Sequence, residues 1–243
     1  MEQKHKKWKF ANIFSQQKES TASIAEKITH FLGEDAISRI QERSLQTQKL
    51  MTYYRCAIME VETKFRVLDE QFSLQQERNP IEIIKTRLKS AESIREKLER
   101  RGLDTSLESI ENELYDVAGV RVICSFIDDI YMLADSFLQQ DDIKLIQRKD
   151  YIQNPKPNGY RSLHLIVEVP IFLHDEKKYM KVEVQLRTIA MEFWANLEHK
   201  LRYKKNLSEE TTLLTSQGLN ECAEMSALLD EKMQKIRDQI DGE

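Results

Sequence analysis

Glycine and proline are scarce, six and four in 243 residues, so little in the chain interrupts long helices. Cysteine is rarer still. Cys56, Cys124 and Cys222 are an odd number at wide spacing, which excludes a disulfide framework and a Cys-x-x-Cys metal pattern and points to a reducing compartment, the cytoplasm. No apolar run is long enough to span a bilayer, and the basic start at Lys4, Lys6, Lys7 and Lys9 continues into polar residues. That start reads as a solvated tail, neither signal peptide nor membrane anchor. The familiar nucleotide and metalloprotease signatures, G-x-G-x-x-G, G-x-x-x-x-G-K-[ST] and H-E-x-x-H, are missing. If a nucleotide binds, side chains must hold its phosphates. The net charge of −4, from 37 basic and 41 acidic residues, implies neither a nucleic-acid coat nor an acidic substrate.

What is present is a pattern of helices around a sheet. From Met51, the residues Tyr54, Ile58, Val61, Phe65, Leu68 and Phe72 alternate steps of four and three, a stripe along one helix. Cys222, Met225, Leu229, Met233, Ile236 and Ile240 do the same near the other end. Such stripes are core or subunit-interface faces, because an amphipathic helix must bury its apolar side. Asn79-Pro80 breaks the first helix. A strand from Ile81 then runs into a helix over Ser90 to Arg101, which Gly102 stops. Thr105 with Glu108 reads as a capping box for a short helix ending near Leu114. Strands are expected at Val117 to Ser125, Ile143 to Arg148, Leu163 to Val169 and Tyr179 to Leu186, with a helix over Ile127 to Gln140. The fold class is α/β (α+β), a mixed β-sheet surrounded by helices, long ones at both ends.

Three segments can carry chemistry, each with a plain structural alternative. Lys85 to Arg101 holds seven cations in seventeen residues, and Lys89, Ser93, Lys97 and Arg101 recur every four, a helical stripe suited to a triphosphate. Equally, Glu92, Glu96 and Glu99 can pair with those cations on a solvated face. The loop from Asp150 to Arg161, DYIQNPKPNGYR, mixes Lys156 and Arg161 with Tyr151 and Tyr160, which suits phosphate and base together. It also reads as a polar hairpin connection covering the core edge. In MKVEVQLRT, Val182, Val184 and Leu186 face one way and Glu183, Gln185 and Arg187 the other. His164 likewise points away from Leu163 and Leu165. With Asp116 at the entrance to another strand, Glu183 makes a carboxylate pair able to hold Mg²⁺ through hard oxygen ligands. A lone carboxylate in a strand is otherwise a surface residue.

Together, RLKSAESIREKLERRG, DVAGVRVICSF, DYIQNPKPNGYRSLHLIVEVP, VEVQLRT and MEFWANLEHKLRYK resemble the successive motifs of the RelA/SpoT synthetase domain, in the stand-alone small alarmone synthetase form and its RelP-like branch. The resemblance runs from about Leu50 to the C-terminus. Residues 1–44, which it does not reach, read as a partly helical extension; the resemblance implies a nucleotidyltransferase-like synthetase fold, with 45–243 as one domain whose flanking helices cover 45–77 and 208–240. It also implies a homotetramer held by terminal helices. The implied activity is transfer of pyrophosphate from ATP to the ribose 3′-hydroxyl of GTP or GDP. By the same resemblance Arg87, Lys89, Ser93 and Lys97 hold ATP phosphates, assisted by Arg121. Asp116 binds Mg²⁺. Tyr160 stacks on guanine, with Lys156, Asn158 and His164 around the acceptor, Gln185 placing it, and Glu183 sharing the metal and acting as general base.

The family's bifunctional members carry a His-Asp hydrolase motif. His174-Asp175 is the only such dipeptide here, and it reads as a turn between two strands. Two other functions fit the motifs: pyrophosphorylation of a tRNA 3′ end, which predicts a basic surface beyond the cleft, and a catalytically silent nucleotide- or RNA-binding regulator. The net charge argues against the first. The presence of both Asp116 and Glu183 argues against the second.

Overall fold

The computed structural model describes residues 34–76, 78–202 and 209–242. The basic start at Lys4 to Lys9 lies outside them. The chain divides into two compact units, 1–51 and 52–243, and the sheet and cleft belong wholly to the second. In order the elements are α1 (Glu34–Gln76), β1 (Ile81–Leu88), α2 (Ala91–Arg101), α3 (Leu107–Glu113), β2 (Ala118–Cys124), α4 (Ile127–Leu138), β3 (Lys144–Asp150), β4 (Leu163–Phe172), β5 (Lys177–Thr188), α5 (Ile189–Arg202) and α6 (Glu209–Asp241). No helix among the described residues is long and apolar enough to cross a membrane.

The five strands lie in the order β1-β2-β5-β4-β3. Only β2 and β5 are parallel; the other pairs are antiparallel. The period-two pattern decides the two faces. Leu163, Leu165 and Val167 of β4 stand opposite Leu186, Val184 and Val182 of β5, and all six are fully buried. Helix α4 covers this side with Ile130, Leu133, Ala134 and Phe137, and Phe65 of α1 stacks on Phe137 with ring centroids 4.5 Å apart. The first apolar stripe is therefore core: Tyr54, Ile58, Val61, Phe65 and Leu68 are all buried.

The second stripe behaves differently. Helix α6 buries Ala223, Ala227 and Asp230, whereas Met225, Leu229, Met233, Ile236 and Ile240 remain exposed in this chain. Small residues let α6 lie close against α5, and the large ones are left on the outer side.

Helix ends agree with the sequence in one case and shift in another. Ser90 caps α2 by accepting from the Ser93 N–H at 3.2 Å. At the other end Gly102, at φ +67°, donates to Glu99 and Leu103 donates to Leu98, the paired bonds that close a helix over a left-handed residue. Helix α3 is capped by Ser106, which accepts from Ser109 N–H at 3.1 Å, so the box placed on Thr105 and Glu108 is one residue early. Both are small hydroxyl residues, and only the backbone path distinguishes them. Lys89 also falls before the cap of α2, so the four-residue stripe Lys89, Ser93, Lys97, Arg101 does not lie on one helix.

Candidate active site

Register builds the site. Lys85, Arg121, Gln185, His164 and Lys149 stand opposite one another in sequence across all five strands. Two residues along, and so on the same face, is a second row: Arg87, Gly119, Glu183, Ile166 and Gln147. This face forms a cleft of about 360 Å³ whose walls include Arg87, Lys89, Asp116, Arg121, Glu183 and Gln185. Gly119 contributes bare backbone to its floor, between Arg87 and Glu183.

Asp116 sits at one end. Its Oδ2 accepts from Lys89 at 2.7 Å and from Lys97 at 2.6 Å. The two lysines thus converge although they do not share a helix, because the Lys89 backbone N–H is pinned to Val117 C=O at 2.8 Å beside Asp116. Burial pushes the Asp116 carboxyl up, but the two lysines outweigh it and hold it below the ordinary range. Its other oxygen, Oδ1, is buried and has no partner. Such an orphan is costly unless something meets it, and a hard cation is the partner that suits it.

Glu183 is held from both sides, by His164 Nδ1 at 3.2 Å from Oε1 and by Gln185 Nε2 at 2.9 Å from Oε2. Burial pushes its carboxyl up; the bonds from His164 and Gln185 outweigh that, and the net shift is downward. It is a carboxylate at neutral pH. His164 is driven below its ordinary value by burial, with Glu183 opposing, so the ring is neutral. Asp116 is close enough for its charge to act on Glu183. Among the described residues no three His, Cys, Asp or Glu groups converge on a metal position. A divalent ion here would therefore take two protein carboxylates and fill its shell from phosphate and water, as Mg²⁺ does.

The loop between β3 and β4 stands at the far end. Asp150 accepts from the Ile152 and Gln153 N–H groups, both at 3.0 Å, and Gly159 N–H donates to Lys156 C=O at 2.8 Å. Lys156 Nζ lies 4.5 Å from the Tyr151 ring centroid and 4.7 Å from that of Tyr160. Tyr160 reaches His164 Nε2 at 2.7 Å. Gly159 is at φ +84°, and a Cβ on it would stand 2.5 Å from Ala223 Cβ, so α6 holds the loop down at a point that only glycine fits.

The structure thus brings Arg87, Lys89, Lys97, Asp116, Arg121, Glu183, Gln185 and His164 together around one face, with Tyr160 and Lys156 next to them. Two expected residues are engaged elsewhere. Ser93 belongs to the cap of α2, its Oγ 3.0 Å from Ser90 Oγ. Asn158 donates to Glu198 at 3.3 Å and accepts from Tyr160 N–H, which shapes the loop. His174 and Asp175 lie in the exposed turn between β4 and β5.

Sequence reasoning missed Glu192. From the first turn of α5 it accepts from Lys85 at 2.9 Å, Arg121 at 3.2 Å, Arg187 at 2.9 Å and Asn196 at 3.0 Å. It gathers cations from three strands. The Met-Glu-Phe-Trp sequence reads as ordinary amphipathic helix, and only the tertiary fold places it under the polar face.

Residues 86–208 match the region found in RelA and SpoT proteins. The chain is 47% identical over 188 residues to the GTP pyrophosphokinase YwaC of Bacillus subtilis (strain 168), spanning 77% of this chain and 89% of that protein. The chain belongs to the RelA/SpoT family. A second relative, GTP pyrophosphokinase YjbM of the same organism, is 34% identical over 197 residues, 80% of this chain and 90% of its own. Among solved RelA/SpoT-family structures, small alarmone synthetase 2 of Bacillus subtilis superposes with a TM-score of 0.70 at 43% identity, covering 79% of this chain and 98% of that one. Small alarmone synthetase 1 of that organism, bound to its product pppGpp, gives 0.71 at 34% identity, covering 80% and 98%. The stand-alone small form named from the motifs is therefore the part of the family this chain matches along most of its length.

Proposed function

We propose that the chain is a GTP pyrophosphokinase, moving the β,γ-pyrophosphate of ATP to the 3′-hydroxyl of GTP or GDP and releasing AMP with pppGpp or ppGpp. The observation that carries the reading is the pair of carboxylates in the one cleft: Glu183, held ionised by His164 and Gln185, and Asp116, held by two lysines with one oxygen free.

The chemistry needs both. A ribose hydroxyl is a poor nucleophile near neutral pH, and Glu183 takes its proton as the 3′-oxygen bonds to the β-phosphorus. The bond from that phosphorus to the oxygen of the α-phosphate breaks, and AMP leaves with the electron pair. Phosphoryl transfer passes through a loose transition state, so acceleration comes chiefly from alignment and from cations meeting spread charge. Arg87, Lys89 and Lys97, with Arg121 assisting, supply those cations for ATP, and Ser93 stands in the first turn of the helix that carries Lys97. Tyr160 offers its ring to guanine, Lys156 and His164 flank the acceptor, Asn158 shapes the loop around it, and Gln185 places it. Mg²⁺, held by Asp116 and Glu183, would neutralise phosphate oxygens when bound. The exposed stripe of α6 supports a homotetramer, and the absence of any disulfide pattern supports the cytoplasm.

The test incubates the full chain with Mg²⁺, γ-labelled ATP and GTP or GDP, with Glu183→Gln as control. Label in a guanosine penta- or tetraphosphate, lost in the variant, is the expected result. No transfer to either nucleotide overturns the reading and directs attention to a tRNA acceptor.

A further inference from the structure

Arg187 was given no role by the motifs, yet it bonds to two residues that were, Tyr160 and Gln185. Its side chain is almost out of water and its Nη1 ends on Glu192 Oε2 at 2.9 Å, which neutralises it. Nε donates to Ser162 Oγ at 3.3 Å, and Nη2 donates to Gln185 Oε1 at 3.2 Å and to the Tyr160 phenol oxygen.

A guanidinium has no acceptor, so the Tyr160 oxygen receives from Arg187 and its single proton must point elsewhere. His164 Nε2 stands 2.7 Å away. Once Nε2 is the acceptor, a neutral imidazole carries its one proton on Nδ1, which faces Glu183 Oε1 at 3.2 Å. Starting from the other end gives the same answer. A carboxylate only accepts, so the nitrogen facing Glu183 bears hydrogen, and Nε2 is left to accept from Tyr160. Donor and acceptor roles are fixed along the whole path from Arg187 through Tyr160 and His164 to Glu183.

We propose that Arg187 is a positioning residue for the transfer reaction, acting through Tyr160 to lock His164 in the Nδ1–H tautomer that orients the Glu183 carboxylate. The proposal rests on the reading of Glu183 as base, and it adds a buried cation that reaches that base through Tyr160 and His164 on one side and through Gln185 on the other. It also assigns the Tyr160 hydroxyl to the protein itself, leaving the ring, not the phenol, for a base.

Nitrogen-15 NMR of the histidine rings in the full-length chain, without nucleotide, reads the tautomer directly, His164→Gln assigning the signal. The expected spectrum has a protonated Nδ1 and an unprotonated Nε2. Tyr160→Phe and Arg187→Met each remove one of the two contacts that set the tautomer, so each is expected to show an Nε2–H population beside the Nδ1–H form that Glu183 still favours, with a kcat lowered by up to about 100-fold, as misplaced reacting groups do. The KM for ATP should move less than about threefold, and Arg187→Lys, which still donates, should restore most of the tautomer and the rate. A wild-type ring protonated at Nε2, or a tautomer unchanged in both variants, overturns the proposal. Tyr160→Phe deletes one oxygen and decides the matter if Arg187→Met does not fold. Whether the chain transfers pyrophosphate is read separately from wild-type label transfer, so the two failures are distinguishable.

Discussion

Arg187 and Glu192 meet at 2.9 Å with side chains only 4% and 7% exposed, and the same carboxylate also receives Lys85 and Arg121. Removing one member of a buried pair leaves the other charge stranded, which costs about 3–5 kcal/mol. Glu192→Ala should lower the unfolding free energy measured in urea by that amount, and Glu192→Gln, which keeps an accepting oxygen, by clearly less. Equal losses in the two variants would mean that packing, and not charge, is what Glu192 supplies.

Neutral burial of His164 gives a pH dependence of known sign. Its folded value is lowered by burial, with Glu183 opposing, while the unfolded ring titrates near about 6.5. As pH falls below that point the unfolded state takes a proton that the native state does not, so stability falls, by at most about 1.4 kcal/mol per pH unit. Urea midpoints at pH 7 and 5.5 should differ in wild type, and the difference should shrink in His164→Gln. A midpoint that rises on acidification would contradict the sign.

Much of this architecture was legible because its periods are clean. Val182, Val184 and Leu186 against Glu183 and Gln185 separate core from cleft at period two, and the fold obeys that division, whereas Arg187, next in the polar series, is buried. Lys89 shows where one-dimensional spacing fails. It sits at the right interval for a helical stripe with Lys97, yet lies outside α2, and reaches Asp116 through the bend after β1. The joining of Glu192 to Lys85 and Arg121, and of Arg187 to Tyr160, was not legible, since those partners come from segments far apart in sequence. The site's outward-facing residues could be read from motifs; the buried ones that hold them could not.

Asp116 offers one free oxygen, and that makes it sensitive to a small change. Asp116→Asn removes the negative charge that Lys89 and Lys97 share and replaces one carboxylate oxygen with a donor. Transfer should fall by at least about 100-fold, comparable to losing a metal or oxyanion contact. Wild-type activity should vanish with a chelator and return with added Mg²⁺, while the variant gains little from either. Activity that survives chelation would refute a metal at this position.

Gly159 joins the loop to α6. Alanine there meets both a left-handed backbone and Ala223 Cβ at 2.5 Å, for an expected cost of about 1–3 kcal/mol. Because Lys156 and Tyr160 ride on the same turn, Gly159→Ala should raise the KM for the guanine nucleotide several-fold more than that for ATP. Adding Ala223→Gly relieves the clash and leaves the backbone strain, so it should recover part of the loss. Equal effects on both substrates would mean that the loop serves the donor as well.

The outer side of α6 presents an apolar row to the surface of the single chain. Met225, Leu229, Met233 and Ile236 are each about half exposed or more, in a helix whose opposite side is already buried on α5 through Ala223 and Ala227. An apolar row of that length on a free surface favours association, and the small residues beneath it show that the helix is not simply misplaced. Light scattering should give a mass near four chains for wild type and a smaller one for Leu229→Glu. Because Gly159 is wedged against Ala223 on this helix, the dissociated variant should also bind the guanine nucleotide more weakly. A dissociated variant with unchanged acceptor affinity would show that the loop is held by the single chain alone.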